Sequence, residues 1–580
     1  MRKLYSRYKT LIRLSPYFFF TFLIFETPSS LFGNVPPDLV NNKAFESVNA
    51  GRIANELSFP ETSPINEAPP KPIIEKTPQS RIPNADKISF TLKNVRFIEN
   101  NVFEEQELRD VFAPFFNKHI TVAQAEDLIK QVTQKYHEEG YFLSTAIFPP
   151  QTIEDGTITI QIVEGSISHV NIQDFTDKQK DLLEKYAAQI MNKKPLKYEE
   201  LERYLLLIND LVGFEVKSVI SPDPENPGSS ILTLVGTYSP LSASASFNNY
   251  GTRYIGPNRL TATTSFNSLL LPGGTLSLRY ATAAHTKEIQ FFEAIHDQAL
   301  GTDGVHWSLG ASHTDTRPQF TLSQYKIHGT NQNVFTSLSY PVIRSRQESL
   351  LSNLTFNYAN VSSSASSVKF YEDRVRTAVL GGTYENYVGS GINVLNFNIH
   401  QGLNIMGAPK QGPTSRSGSR TNFRKFTFDI SRNQFFDDMF SLFVMGNSQF
   451  TNSVLFTSEE FIFGGPSLGR GYDAAQLSGD RGLSGKAELR LTTKPQLDFL
   501  ERVQYYTFLD GGAVWNVKKL SGNGRQSGTS TGLGIRSVLT PNFNFDVFVA
   551  KPLTRANATQ QATHHNGKAA LFYFQISTTW

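Results

Sequence analysis

The chain has 580 residues, with 55 Lys and Arg against 52 Asp and Glu, a net charge of +3 and no cysteine. Near-balanced charge gives neither a nucleic-acid footprint nor an acidic tail, and the missing cysteines exclude a disulfide scaffold, a thiolate metal site and a cysteine nucleophile. Aromatics at 12%, charged residues at only 18% and 40 glycines point to more than one domain and to extensive β-structure with turns.

At the N-terminus Arg2, Lys3, Arg7, Lys9 and Arg13 precede the apolar run "SPYFFFTFLIF". This pattern predicts a secretory signal over residues 1–33. The run is shorter than the ~20 residues a membrane-spanning helix needs. Residues 34–58 predict one modest helix. Residues 59–86 carry prolines 60, 64, 69, 70, 72, 78 and 83 and predict an extended, semi-rigid linker.

Two modules of one architecture follow, at 87–164 and 165–237. In the first, "ISFTLKNVRF" alternates like a strand. "FEEQELRDVFAPFF" and "VAQAEDLIKQVTQKYHEEGYF" read as helices, with Leu128, Val132 and Tyr136 on one face and Gly140 at the C-cap. "STAIFPP" and "GTITIQIVEG" read as strands. The order β-α-α-β-β recurs through "SISHVNIQ", "DKQKDLLEKYAAQIM", "KYEELERYLLLINDL", "FEVKSVISP" and "SSILTLVG".

From 238 to 580 helical periodicity gives way to short segments alternating by two. In "GTLSLRYAT" Leu276, Leu278 and Tyr280 oppose Ser277 and Arg279. In "KFTFDIS" Phe426, Phe428 and Ile430 oppose Thr427 and Asp429. In "KAELRLT" Leu489 and Leu491 oppose Lys486, Glu488 and Arg490. A soluble sandwich also alternates, so this pattern alone leaves sandwich and membrane barrel open. Three features favour the barrel: the secretory signal, roughly 340 residues of unbroken strand grammar, and a last strand, "LFYFQISTTW", that ends the chain. Phe572, Phe574, Ile576 and Trp580 lie on one face of that strand, which would be an aggregation hazard at a soluble edge. The length suits roughly 16 strands.

Three stretches suggest chemistry. "GTSTG" at 528–532 matches G-x-S-x-G, but a nucleophile elbow needs a helix after it and "GLGIRS" continues as a strand, so Ser530 is not read as a nucleophile. His564-His565 has no further ligand at useful spacing, so no metal is expected. "FGGPSLGRGYD" (463–473) lacks the G-K-[ST] of a phosphate loop and the helix that must follow it. It leaves two readings open, a glycine-rich surface turn and a loop that folds back so that Arg470 reaches a carboxylate.

Several stretches resemble the transporters of two-partner secretion, the haemolysin secretion/activation proteins related to the barrel assembly factor BamA. "GYFLSTAIFPPQTIEDGTITIQIVEG" looks like the end of that family's first POTRA domain, and "LERYLLLINDLVGFEVKSVISP" like its second. "EEFIFGGPSLGRGYDAAQLSGDRGLSGKAELRL" looks like its inward-folded sixth loop, here near 464–482, and "FLDGG" like its Phe-x-Asp-x-Gly strand motif of Phe508, Asp510 and Gly512. Gly469 stands where the loop motif usually has valine, and Trp580 where the family more often ends in phenylalanine.

The resemblance implies a 16-stranded transmembrane β-barrel in the outer membrane, preceded by two periplasmic α+β POTRA domains, with the helix of 34–58 as a plug for the pore joined to them by the periplasmic linker 59–86. It implies export of one large β-helical haemolysin or adhesin, without nucleotide, cofactor, metal or catalysis, the POTRA domains receiving that secreted partner. The lipid bilayer and the barrel assembly machinery are the other partners, the latter reading the terminal signal Phe572, Phe574, Ile576 and Trp580. Arg470, Gly471 and Tyr472 would form a loop latch, with Asp510 as the implied partner of Arg470 and Glu488 as its rival. A general barrel assembly factor is the alternative function.

Overall fold

A computed structural model describes residues 47–58, 71–75, 82–226, 228–366, 368–408, 413–497, 499–517, 524–540, 542–562 and 566–580. The expected signal, most of the linker and His564-His565 lie outside these residues.

The first described helix, α1 (Ala50–Ser58), is followed by a two-residue strand, β1 (Ile73–Ile74). The first small module then runs β2 (Ser89–Leu92), β3 (Asn94–Ile98), α2 (Glu105–Arg109), β4 (Lys118–Thr121), α3 (Val122–Glu138), β5 (Thr145–Ile147) and β6 (Thr157–Val163). Thr121 and Gln124 form a reciprocal capping box that starts α3, and Gly140, at φ +89°, lets the chain turn off its end. Leu128, Val132 and Tyr136 are buried against Ile158, Ile160 and Ile162 of β6. The stretch 103–116 predicts one helix, but α2 stops at Arg109 and a separate single turn forms at Ala113–Phe115. Pro114 has no N–H to continue the α-helix and its ring would clash with the carbonyl of Asp110, while it suits the first turn of a new helical segment. Strand β4, which pairs with β2, was not expected.

The second module runs β7 (Ser166–Gln173), α4 (Asp177–Met191), α5 (Tyr198–Asp210), β8 (Phe214–Pro222) and β9 (Ser229–Tyr238). Its sheet order is β1-β8-β9-β7, so the linker strand lies on the β8 edge. The module is seated on the barrel. Arg344 grips Asp210 with two nitrogens at 2.8 and 2.6 Å, Arg346 meets Glu202 at 3.2 Å, and Arg203 donates to the carbonyls of Asp303 and Pro341. At the same joint the Tyr186 phenol is pushed up to about 12, first by burial and then by Asp210 and Asp303. It therefore stays a donor, to the Gly301 carbonyl at 3.4 Å.

The barrel strands are β10 (Leu241–Asn248), β11 (Arg259–Asn267), β12 (Gly274–Ala283), β13 (Ile289–Leu300), β14 (Val305–Thr316), β15 (Ile327–Arg344), β16 (Glu348–Ala365), β17 (Val368–Val388), β18 (Gly391–Gly402), β19 (Arg424–Phe435) and β20 (Phe440–Thr451). After the loop hairpin β21 (Phe461–Phe463) and β22 (Leu477–Gly479) come β23 (Arg481–Thr493), β24 (Arg502–Trp515), β25 (Gln526–Thr540), β26 (Phe543–Pro552) and β27 (Leu571–Thr579). Apart from the loop hairpin they pair antiparallel in chain order, and β27 pairs back onto β10, closing sixteen strands into a barrel without an edge. Closure extends to the last residue, whose amide donates to the Ala243 carbonyl at 2.8 Å.

The alternation resolves into two environments. Phe292 is 50% exposed on the outer wall while its neighbour Glu293 is 4% exposed inside. Tyr280, Phe426, Phe428, Ile430 and Leu489 also face outward, as do Phe572, Ile576 and Trp580. Phe574 packs across the closing seam, 5.6 Å from the Phe247 ring. An apolar outer belt with a polar, charged lumen is the arrangement of an outer-membrane barrel. No helix among the described residues is long and apolar enough to cross a membrane.

Candidate functional site

Because β10 is entered from the POTRA side, the connection between β20 and β23 lies at the opposite, external mouth. It folds back inside. Gly464, Gly465 and Gly469 hold φ of +122°, +117° and +78°, values an L side chain resists, and they make the tight return that brings Arg470 to the wall. Gly471 is required for a second reason: a Cβ there would stand 2.7 Å from the Pro552 nitrogen and from the Ser530 Cβ.

The structure places Arg470 between both candidate carboxylates. Its Nε and Nη2 donate to Asp510 at 3.0 and 2.6 Å, and its Nη1 donates to Glu488 at 2.6 Å. Asp510 also accepts from the backbone amides of Gly469 and Arg470, at 3.1 and 3.0 Å. The guanidinium lies 3.4 Å from the Phe508 ring centre, which gives the aromatic of the strand motif a contact of its own. The third motif residue, Gly512, leaves room for the Phe463 ring. Tyr472 is buried, accepts from the Thr529 amide and donates to the Thr529 carbonyl at 2.7 Å, its ring lying over Gly528. The Arg470 side chain is 2% exposed and those of Glu488 and Asp510 are 0% exposed, so this contact is shielded from solvent.

Sequence reading missed the second layer. Arg490 and Arg536 both donate to the other Glu488 oxygen, at 2.7 and 3.2 Å. Arg536 also meets Asp546 at 3.0 Å, and Asp546 accepts from the Tyr506 hydroxyl at 2.7 Å. The signal was available, since Arg490 follows Glu488 by two and shares its lumen-facing parity.

A second charged cluster holds α1 inside the barrel. Arg52 pairs with Glu460 and donates from Nε to the Thr457 carbonyl at 2.7 Å. Glu460 also contacts Arg416 at 3.1 Å, which reaches Asp480 at 2.5 Å. Arg259 bonds Glu56 at 2.8 Å, Asn49 donates to the Tyr371 hydroxyl at 2.8 Å, and Arg279 donates to the Leu57 carbonyl at 2.9 Å. Ala50, Gly51, Ile53 and Ala54 are buried against the wall. Ser530, singled out by its motif, is buried in mid-strand β25 with another strand after it, so the geometry of a nucleophile elbow is missing.

A closed sixteen-stranded barrel seated on small α+β modules, with an in-folded arginine loop and a helix in its lumen, defines an outer-membrane transporter of the POTRA-bearing superfamily. Residues 228–536 match the family described as haemolysin secretion/activation protein ShlB/FhaC/HecB, and residues 90–165 match the ShlB-type POTRA domain. The chain belongs to that family of two-partner secretion transporters. Relatives include the heme/hemopexin transporter protein HuxB of Haemophilus influenzae (strain 86-028NP), 23% identical over 80% of this chain and 84% of its own. The outer membrane transporter CdiB of Dickeya dadantii (strain 3937) is 23% identical over 74% of this chain and 77% of its own. The same fold is present in CdiB from Escherichia coli, with a TM-score of 0.70, 18% identity and coverage of 95% of this chain and all of that one.

Proposed function

We propose that this protein exports one large partner protein through its barrel, that α1 closes the lumen at rest, and that the Arg470 loop latches the wall. The observation that carries the reading is a short helix inside a closed barrel, held by ion pairs and continuous in chain with a linker that leads to the POTRA modules. A segment so placed is removable in a way that a wall strand is not. Relatives named as a heme/hemopexin transporter and a hemolysin transporter support a dedicated cargo. The POTRA modules receive the cargo by adding an extended segment to a sheet edge. Arg470, Gly471 and Tyr472 position the loop against Asp510 and Glu488, and no step of the reading is catalytic. The division of the chain that goes with this reading is 1–33 signal, 34–58 plug, 59–86 linker, 87–164 and 165–237 POTRA modules, and 238–580 barrel.

The test is deletion of this gene in its own host. Accumulation of one large exported protein in the periplasm, with other outer-membrane barrels assembled normally, is the expected result. General failure of barrel assembly would replace this reading with that of an assembly factor.

A further inference from the structure

The adjacent strands β17, β18, β19, β20 and β23 all meet the external mouth, and there their outward face changes from apolar to polar. On β19 Arg424 stands two residues above Phe426, which is 46% exposed; on β23 Arg481 stands two above Leu483, which is 55% exposed. On β18 Gln401 stands above the exposed Ile399, and on β17 Arg374 and Arg376 stand above Ala378 and the exposed Leu380. Strand β20 passes from the exposed Phe450 to the exposed Asn452.

The row is tied together by neutral groups. Arg424 donates to the Gln401 side chain at 2.9 Å, and its own carbonyl accepts from the Thr451 hydroxyl at 2.6 Å. The Thr451 carbonyl accepts from Arg481 at 2.5 Å, and Arg481 also donates to the Asn452 side chain at 2.6 Å. Arg376 donates to the Ala359 carbonyl at 2.7 Å and lies 3.5 Å from the Tyr358 ring centre. None of these partners carries charge, so the cations are uncompensated. Arg374 shares Glu372 with Lys369, which leaves a positive excess there as well. At the same end of β14 and β15 the outward charge is balanced, because Asp315 takes Arg317 at 3.4 Å and His328 at 2.6 Å.

The loop after β18 folds onto this face. The carbonyls of Met406 and Gly407 accept from Arg376 and Arg374, while the Ile405 and Met406 side chains stay exposed. At the external end of β18 and β19 the same loop encloses a cleft of about 270 Å³ lined by Asn404, Thr414, Arg420 and Thr421. Lipid phosphates stand just outside the acyl layer, which is where an apolar belt gives way to this row. The planar arginine fork suits phosphate oxygens, and the hydroxyls and amides of the cleft suit a polar headgroup above them.

We propose that Arg374, Arg424 and Arg481, with Arg420 in the cleft above, form a binding site for the phosphate groups of outer-leaflet lipid headgroups. The site gives the barrel one lipid-clamped side, β17 to β23, and holds the loop after β18 against the membrane.

The test uses full-length protein purified in a neutral detergent. It is titrated with lipid A, a diphosphorylated glycolipid, and with the same lipid stripped of its phosphates, and bound lipid is counted by native mass spectrometry. The parent is expected to hold the phosphorylated form about 10-fold or more the tighter, and Arg424→Gln with Arg481→Gln to lose that preference, at ~5-fold per residue. Arg424→Lys should keep part of it and Arg317→Gln all of it. Heat-modifiable migration reports whether each barrel is folded. Should the double variant fail to assemble, Arg424→Gln alone decides, by a loss of ~5-fold. Inorganic phosphate in large excess should leave the lipid bound; full displacement would make this a site for a free anion and overturn the proposal. Equal affinity of the parent for the two lipids overturns it, as does an unchanged preference in the folded glutamine variants. If those variants keep the preference and lose export, the arginines serve the exported protein instead of the lipid.

Discussion

Truncating Arg470 to alanine isolates what the loop contact contributes. The change deletes three side-chain hydrogen bonds to two fully buried carboxylates and the contact with Phe508. Breaking a buried ion pair costs ~3–5 kcal/mol, because the survivor is left uncompensated. Here the survivors keep some partners: Asp510 retains the Gly469 and Arg470 amides, and Glu488 retains Arg490 and Arg536. The lower figure, about 3 kcal/mol, is therefore appropriate, and it shifts the balance between docked and undocked loop by roughly 150-fold. The sixteen-strand ladder is untouched, so heat-modifiable migration of the barrel should be unchanged. Hydrogen exchange across residues 463–473 should accelerate by about two orders of magnitude, and export should fall. Exchange at the parent rate in a folded Arg470→Ala barrel would refute the reasoning. Arg470→Lys keeps the charge but cannot chelate both carboxylates, and should lie between the two. Swapping Arg470→Asp with Asp510→Arg should not rescue export. Asp510 also accepts two backbone amides, and an arginine there would face two N–H groups.

Arg52→Ala removes the cation that pairs α1 with Glu460, while Arg416 still neutralises that carboxylate; at ~2–3 kcal/mol the open fraction of single channels in planar bilayers should rise by tens of fold, and traces like those of the parent would sink the assignment of α1 as a plug. Gly528→Val would put side-chain atoms into the Tyr472 ring, 2.9 Å from the ideal Cβ, and should accelerate exchange in 463–473 with the barrel still assembled. The Asp223 carboxylate, in the turn between β8 and β9, is held down to about 2 against an ordinary 3.8 by bonds from the Ser168 hydroxyl, then Asn226, then the Glu225 amide. A depressed folded value means the support is complete above pH ~4 and lost as pH falls through ~2. The Glu225 amide should therefore exchange faster over that window than the pH dependence of intrinsic exchange allows. Asp223→Asn should show no such transition.

The strands were legible because period-two alternation sorts residues between lipid and lumen, and Tyr280, Phe428 and Leu489 all lie on the side their pattern implies. Helices α3, α4 and α5 were legible in the sequence, α3 from its apolar face and the glycine at its end. What alternation cannot convey is which lumen residues meet. Glu488 is opposite Phe508 in the β23–β24 register, on the strand beside Asp510 and two residues from its level, so a loop arginine could satisfy both carboxylates and the choice between them was never exclusive. The pairing of Arg52 with Glu460 joins residues 408 apart through a closed barrel and leaves no local trace. Strand β1 was hidden for a different reason: two isoleucines amid prolines carry no strand period, and only the β8 edge makes them a strand.

The two ion clusters differ in what remains when each is broken, and this sets an order of release. Glu460 is shared by Arg52 and Arg416, and Asp480 takes Arg416 together with the amides of Leu455 and Val517. When α1 leaves, the carboxylates at the root of the loop stay paired and Arg52 is free to be hydrated. When Arg470 leaves, Asp510 loses its cation and both amides together, because all three travel with the loop. The first departure unpairs one wall cation, Arg259, which loses Glu56, and the second strips a buried carboxylate of its cation and two amides at once, so the helix is held by less than the loop. Deleting residues 34–58 should therefore open the channel and leave hydrogen exchange across 463–473 within about 3-fold of the parent, a difference of less than ~1 kcal/mol. Faster exchange there would mean that the helix supports the loop and that the two leave together.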